Sequence, residues 1–268
     1  MKIQIGKYEI HVLDCGTFKL DGGAMFGVVP KTIWNKTNPA DELNRITLGL
    51  RPALIIGGGR KILVDGGIGD KFDEKWSAIY GVDNKGKSLR EELSKLGFTP
   101  DDISDIIVTH LHFDHCGGSV RLLPGSSSPK EAALTFPRAT HWVSRVQWDW
   151  AQNTVDREPD SFFEHTFLPM KESGKLRLVD KESEIIAGIT VRIFHGHTRG
   201  LMIPIISSGN ETIVFAGDLI PTSVHLDPDI GMSYDLDPEL VREEKKGFLA
   251  EIKSHDWKLL FQHELVSK

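Results

Sequence analysis

Apolar and polar residues alternate over positions 2–20 around Gly6, a two-residue period broken by a turn former, so this stretch predicts a hairpin. The pattern then lapses. Residues 21–50 mix glycine, proline and scattered apolar side chains and predict one extended loop, near a binding pocket or a dimer interface. Loops this long in compact domains usually carry function, and Met25, Phe26 and Trp34 give this one something to pack. Two short apolar runs, 53–56 and 61–65, flank Gly57-Gly58-Gly59 and predict a second hairpin. The glycines do not form a phosphate loop, because the P-loop spacing and its following helix are absent. Over 88–96, Ser88 with Glu91 three residues on makes a capping box, and Gly97 supplies a stop, so the segment predicts a helix. A buried strand is expected over 105–109 and a tryptophan-rich helix over 141–152, holding Trp142, Trp148 and Trp150 as core or pocket wall. Strands are expected at 176–179, 189–194, 201–207 and 212–216, then a polar helix at 238–254 and a last strand at 257–261. Runs of strands with helices between and after them, and no repeat or linker, imply one domain over 1–268. It should be an α/β (α+β) fold of two sheets face to face with helices outside.

Composition narrows the function classes. A chain of 268 residues buries a sizeable core without crosslinks. Its net charge of −6 gives no electrostatic footprint for nucleic acid. The two cysteines, Cys15 and Cys116, form no disulfide framework and suit a reducing compartment. The N-terminal MKIQIGKYEIHV has no signal-length apolar run, and no segment reaches the roughly 20 apolar residues of a membrane span. A cytoplasmic protein acting on a small molecule, without membrane or nucleic-acid partners, is the expectation.

The chemistry lies at 110–115. His110-x-His112-x-Asp114-His115 places three imidazoles and a carboxylate within six residues, a donor set accepted by Zn, Mn, Fe or Co. In an extended chain His110 and His112 point the same way and can share one ion. Asp114 and His115 lie further along, where the chain turns, and are placed for a second. Three further candidates each follow a buried apolar strand: His197 in FHGHTRG, Asp218 in AGDL and His263 in FQHE. A lone strand-end His or Asp is ordinarily a turn or cap; four such segments together are not.

This series resembles the metallo-β-lactamase superfamily, matched in order by Asp65, the 110–115 cluster, His197, Asp218 and His263 over about residues 50–265. The resemblance implies a four-layer αββα sandwich with metals at one edge. It implies two divalent ions, zinc first, with His110, His112 and His197 on one, Asp114, His115 and His263 on the other, and Asp218 between them. A hydroxide bridging the ions would be the nucleophile, Asp114 would orient it and carry a proton to the leaving group, and Asp65 would support the ligand loop from behind. Within the superfamily the chain looks nearest to the quorum-quenching lactonases and the methyl parathion hydrolase-like enzymes, which implies a small ester, lactone or phosphotriester as substrate and a homodimer. The lactonases carry a tyrosine three residues after the bridging aspartate; here Pro221 stands there, and Tyr234 or His225 is the candidate replacement donor. With Met25, Phe26 and Trp34, these two make up the candidate substrate pocket. Cys116 is expected to pack rather than bind metal. The alternative within the same fold is a mononuclear iron oxidoreductase resembling the persulfide dioxygenases, which use only part of the ligand set.

Overall fold

The structure is a computed structural model and describes residues 1–123, 125–126, 131–153, 158 and 160–265. Two sheets face each other. The larger runs β1(Lys2–Ile5), β2(Tyr8–Val12), β5(Ala53–Gly57), β6(Arg60–Val64), β7(Asp105–Ile107), β10(Thr140–Ser144) and β11(Leu176–Val179) in that spatial order. The smaller runs β12(Ser183–Ile186), β13(Ile189–Phe194), β14(Leu201–Ser208), β15(Glu211–Phe215) and β16(Lys258–Leu260). β-Branched side chains from both fill the space between them, with Ile10, Ile55, Ile62 and Val64 meeting Val191, Ile206 and Ile213 at no more than 1% exposure. Helices close the outer faces. α4(Leu89–Lys95), α6(Arg145–Gln152) and α7(Glu164–Glu172) cover the larger sheet through Leu93, Trp148 and Phe167. α8(Pro238–Ser254) covers the smaller one with Val241, Phe248 and Ile252. This is the αββα sandwich. The capping box of Ser88 and Glu91 forms as the sequence implied.

Three expectations change, and one helix had no counterpart among them. The first hairpin ends at Val12; β3(Thr17–Asp21) leaves it to pair with β4(Arg45–Gly49) in a separate two-stranded sheet. Segment 21–50 is therefore not one extended loop. Asp21 caps α1(Gly22–Phe26) by accepting from Ala24 N, α2(Lys31–Trp34) follows, and the alternation of Ile46 and Leu48 makes β4. Trp142 lies on β10, not on a helix, since the helix begins only after Ser144. Helix α7 escapes sequence reading because Pro169 interrupts its pattern, although Pro169 stands inside it.

Candidate metal centre

The seven candidate ligands come together because four strands end at one edge. Beyond β7 the chain stays extended to Thr109, whose carbonyl accepts from Met202 N of the facing sheet at 2.8 Å. His112 then opens the single turn α5(Phe113–Cys116), which swings Asp114 and His115 toward the centre. The ligand loop is clamped by backbone: Gly66 N donates to His115 O at 2.6 Å and Gly118 N to Gly67 O at 2.9 Å. A β-carbon on Gly117 would lie 2.1 Å from Ile68 O, and one on Gly118 2.1 Å from Gly66 O, so only glycine fits at either place. His197 follows β13 in a turn held by Glu244, which accepts from His195 N and Gly196 N at 2.8 and 3.0 Å. Asp218 sits in a short turn after β15, and His263 follows β16.

Donor atoms of His110, His112 and His197 lie within 4.8 Å of one another, as do those of Asp114, His115 and His263, and those of His110, His115 and Asp218. Asp218 faces both histidine groups. Its Oδ1 is 3.2 Å from His115 Nε2 and 3.1 Å from His263 Nε2, while Oδ2 is 3.6 Å from His197 Nε2. Asp114 Oδ2 lies 3.5 Å from His263 Nε2 and 3.7 Å from His115 Nε2.

The far side of each ring is already committed, and this fixes which nitrogen faces inward. His263 Nδ1 donates to Gly49 O at 2.9 Å, and His115 Nδ1 to Asp65 Oδ2 at 2.8 Å. His197 Nδ1 donates to Asp235 Oδ1 at 2.9 Å, and His110 Nδ1 to Thr109 Oγ1 at 3.0 Å. His112 is turned the other way, its Nε2 donating to Glu158 Oε1 at 2.9 Å. The inward atoms His110 Nε2, His197 Nε2 and Asp218 Oδ1 are buried without a hydrogen-bond partner. Buried polar atoms are almost always paired; lone pairs left over in this arrangement suit a cation, and the donor set suits zinc. Backed imidazoles of this kind are the usual arrangement around a bound metal.

Electrostatics agree. Burial opposes a charge on His115, yet Asp218, Asp114 and Asp65 outweigh it and hold that imidazole well above its ordinary range. Burial likewise opposes ionisation of Asp218, and His115 and His263 overcome it, holding the carboxyl far below its usual range. His110 is kept neutral first by burial and then by its imidazole neighbours. The field at the centre favours positive charge: His110 keeps a lone pair to meet it, and a cation at His115 would take the place of the proton that the same field holds there.

Asp65 occupies the supporting place expected of it. Its φ of +62° is left-handed, a conformation aspartate tolerates better than most residues. From there it accepts from Thr109 N at 2.8 Å and Thr109 Oγ1 at 2.9 Å besides His115. Cys116 Sγ points back at Leu111 O at 3.4 Å, and burial pushes its thiol up to about 11, as fits a packing residue.

Above the centre opens a cavity of about 290 Å³, floored by His112, Asp114, His197, Asp218 and His263. Met25 and Tyr234 line it, as the sequence suggested; Leu20, Tyr80, Phe113, Glu158 and Met232 join them. Phe26, Trp34 and His225 do not. Phe26 is stacked between Trp34 at 5.4 Å and His225 at 5.3 Å. His225 is 1% exposed, donating from Nε2 to Met25 O at 2.8 Å and accepting at Nδ1 from Thr222 Oγ1 at 2.7 Å. These three brace the wall from behind, and His225 has no free nitrogen for a substrate. Sequence reasoning missed Tyr80, Glu158 and Asp235, which reach the site from distant segments without any local spacing signal.

An αββα sandwich with a His and Asp cluster at its strand ends is the architecture of a superfamily of metal-binding enzymes. Residues 51–263 match the metallo-beta-lactamase superfamily, and the chain belongs to it. It is 33% identical to a probable metal-dependent hydrolase from Staphylococcus aureus, with a TM-score of 0.88 over 97% of this chain and 91% of that one. It is 26% identical to AidC, a dizinc quorum-quenching lactonase solved with its product N-hexanoyl-L-homoserine, with a TM-score of 0.80 over 98% and 90% of the two chains. An N-acyl homoserine lactonase of Bacillus thuringiensis is 22% identical over 65% of this chain; the match spans 60% of that relative's length. Among the described residues no helix is long and apolar enough to cross a membrane.

Proposed function

We propose that the protein is a dinuclear hydrolase of small uncharged lactones or esters, with phosphotriesters as the neighbouring class. The observation that carries this reading is Asp218, which turns one oxygen toward each of two histidine groups. His110, His112 and His197 would hold one divalent ion, zinc by preference, and Asp114, His115 and His263 the other. The similarity to a dizinc lactonase supports the count and the metal. Convergence of Asp114, His115 and His263 in a second group supports it over a mononuclear iron oxidoreductase, which has no use for all three.

When bound, such a pair of cations supplies Lewis acidity and makes hydroxide available near neutral pH. Asp114, on the cavity floor, orients the attacking hydroxide and carries its proton to the leaving oxygen as the ester C–O bond breaks. Pro221 offers no side-chain donor, and its carbonyl accepts from His263 N at 3.0 Å. The substrate carbonyl is left to the phenols of Tyr234 and Tyr80. Burial raises both above their ordinary range, Tyr80 to about 12, so both keep the proton they donate. Leu20, Met25, Leu48, Phe113 and Met232 enclose an apolar arm. Among the described residues the lining contains four carboxylates and no lysine or arginine, so apart from the ions themselves these side chains offer no counter-charge to a substrate carboxylate or phosphodiester.

Metal analysis beside a substrate panel tests the reading. The expected outcome is two ions per chain, and turnover of lactones or aryl esters well above that of their carboxylate-bearing analogues. One ion with thiol-dependent oxygen uptake would sink it.

A further inference from the structure

Glu158 takes no part in the proposed reaction, yet it is 5% exposed and both its oxygens are engaged. Oε1 accepts from His112 Nε2 at 2.9 Å, and Oε2 from the indole Nε1 of Trp150 at 2.7 Å. It comes from the stretch between α6 and α7, away from the strand ends that deliver the other groups. The same stretch grips the ligand loop twice more: Phe113 N donates to Ser161 O at 3.0 Å, and the Phe162 ring meets His112 edge-on at 4.8 Å. Asp160 and Ser161 line the cavity as well.

The geometry points to Glu158 as a positioning residue for the first ion, and we infer that it acts through His112. Three considerations lead there. His112 is turned opposite to the other four imidazoles, so the bond to Glu158 selects the nitrogen that faces inward. A carboxylate accepting from an imidazole makes its other nitrogen a better donor, where a neutral acceptor does so less. Of the three imidazoles proposed for the first ion, His197 is backed by Asp235 and His110 only by the Thr109 hydroxyl, so Glu158 supplies one of the two carboxylates behind that ion. Trp150 holds the carboxylate in line from α6. The cavity wall and the first ion's retention thus share one segment.

This inference rests on the two-ion reading. Its test is competition with a chromophoric chelator for zinc, reading the two ions separately, on the wild type, E158A, E158Q and W150F, with thermal melts of the metal-free proteins as a check on folding. The wild type binding no zinc would take down the parent reading and this one with it. Given wild-type binding, E158A should weaken one ion about 10–100-fold and leave the other unchanged. E158Q, which keeps an acceptor without the charge, should fall between, and W150F should show the smallest loss. Equal affinity for both ions in E158A and wild type overturns the inference, as does an equal loss at both sites in a variant whose metal-free melt is unchanged.

Discussion

The floor and the wall of the cavity are built by different rules. Every floor group follows a buried strand and is almost fully enclosed, and each imidazole has its far side tied to a carboxylate, hydroxyl or carbonyl. The wall comes from short elements and connections outside the two main sheets: Leu20 on β3, Met25 in α1, Tyr80 after the helix α3(Glu74–Ile79), Met232 and Tyr234 before α8. Its side chains are larger, more aromatic and in places exposed, Tyr234 at 40%. Rigid strands fix the chemistry, while loops set what can reach it. Substitutions in the floor should therefore change whether a bond is cut, and substitutions in the wall should change which bond.

Asp114→Asn draws this line most sharply. It removes the proton carrier and one donor of the second group, and kcat should fall about 10²–10⁴-fold for every substrate on the panel. A loss confined to some substrates would place Asp114 in the wall and break the comparison. The next effect is on stability and concerns the brace behind the wall. Burial holds His225 down to about 4 from its ordinary 6.5. Its folded pKa lies below its unfolded one, so the unfolded chain takes up the proton first as pH falls. Stability is therefore complete above 6.5 and lost progressively toward 4, by roughly 3 kcal/mol at about 1.4 kcal/mol per unit. Denaturant melts across that window should show the loss, and His225→Asn should flatten it by that one group's share. An unchanged slope would mean that His225 does not brace the wall. The smallest effect belongs to the phenols. Tyr234→Phe should cost up to about tenfold in kcat/KM on lactones, one hydrogen bond's worth, with metal content untouched; Tyr80→Phe reads the same bond from the other side. If neither phenylalanine alters kcat/KM, the carbonyl is polarised without help from the wall.

The same division decides what could be read from the chain. The seven candidate ligands were legible because four lie within six positions and the other three each close an apolar strand. Even the pairing of His112 with His110 follows from the two-residue period. Glu158 and Asp235 were not, because each meets its imidazole across 46 and 38 residues and sits in no recurring pattern. Aromatic residues misled for a physical reason: Phe26, Trp34 and His225 stack as readily inside the protein as against a ligand, and only packing distinguishes the two. At the level of elements, long apolar runs gave the sheets, while β4 and α1 were hidden among glycines and prolines. They form because Asp21 caps one and Ile46 and Leu48 bury the alternate face of the other.

The glycines that let residues 66–69 and 117–118 touch backbone to backbone have a bearing on how this scaffold can be altered. A β-carbon at Gly117 or Gly118 would collide with a carbonyl, so these positions are closed to substitution, whereas Tyr234, Met25 and Tyr80 border open space. A combinatorial library aimed at new substrates is best concentrated on the bordering residues. Diversity spent on the glycine contacts would yield clones that fail before selection begins.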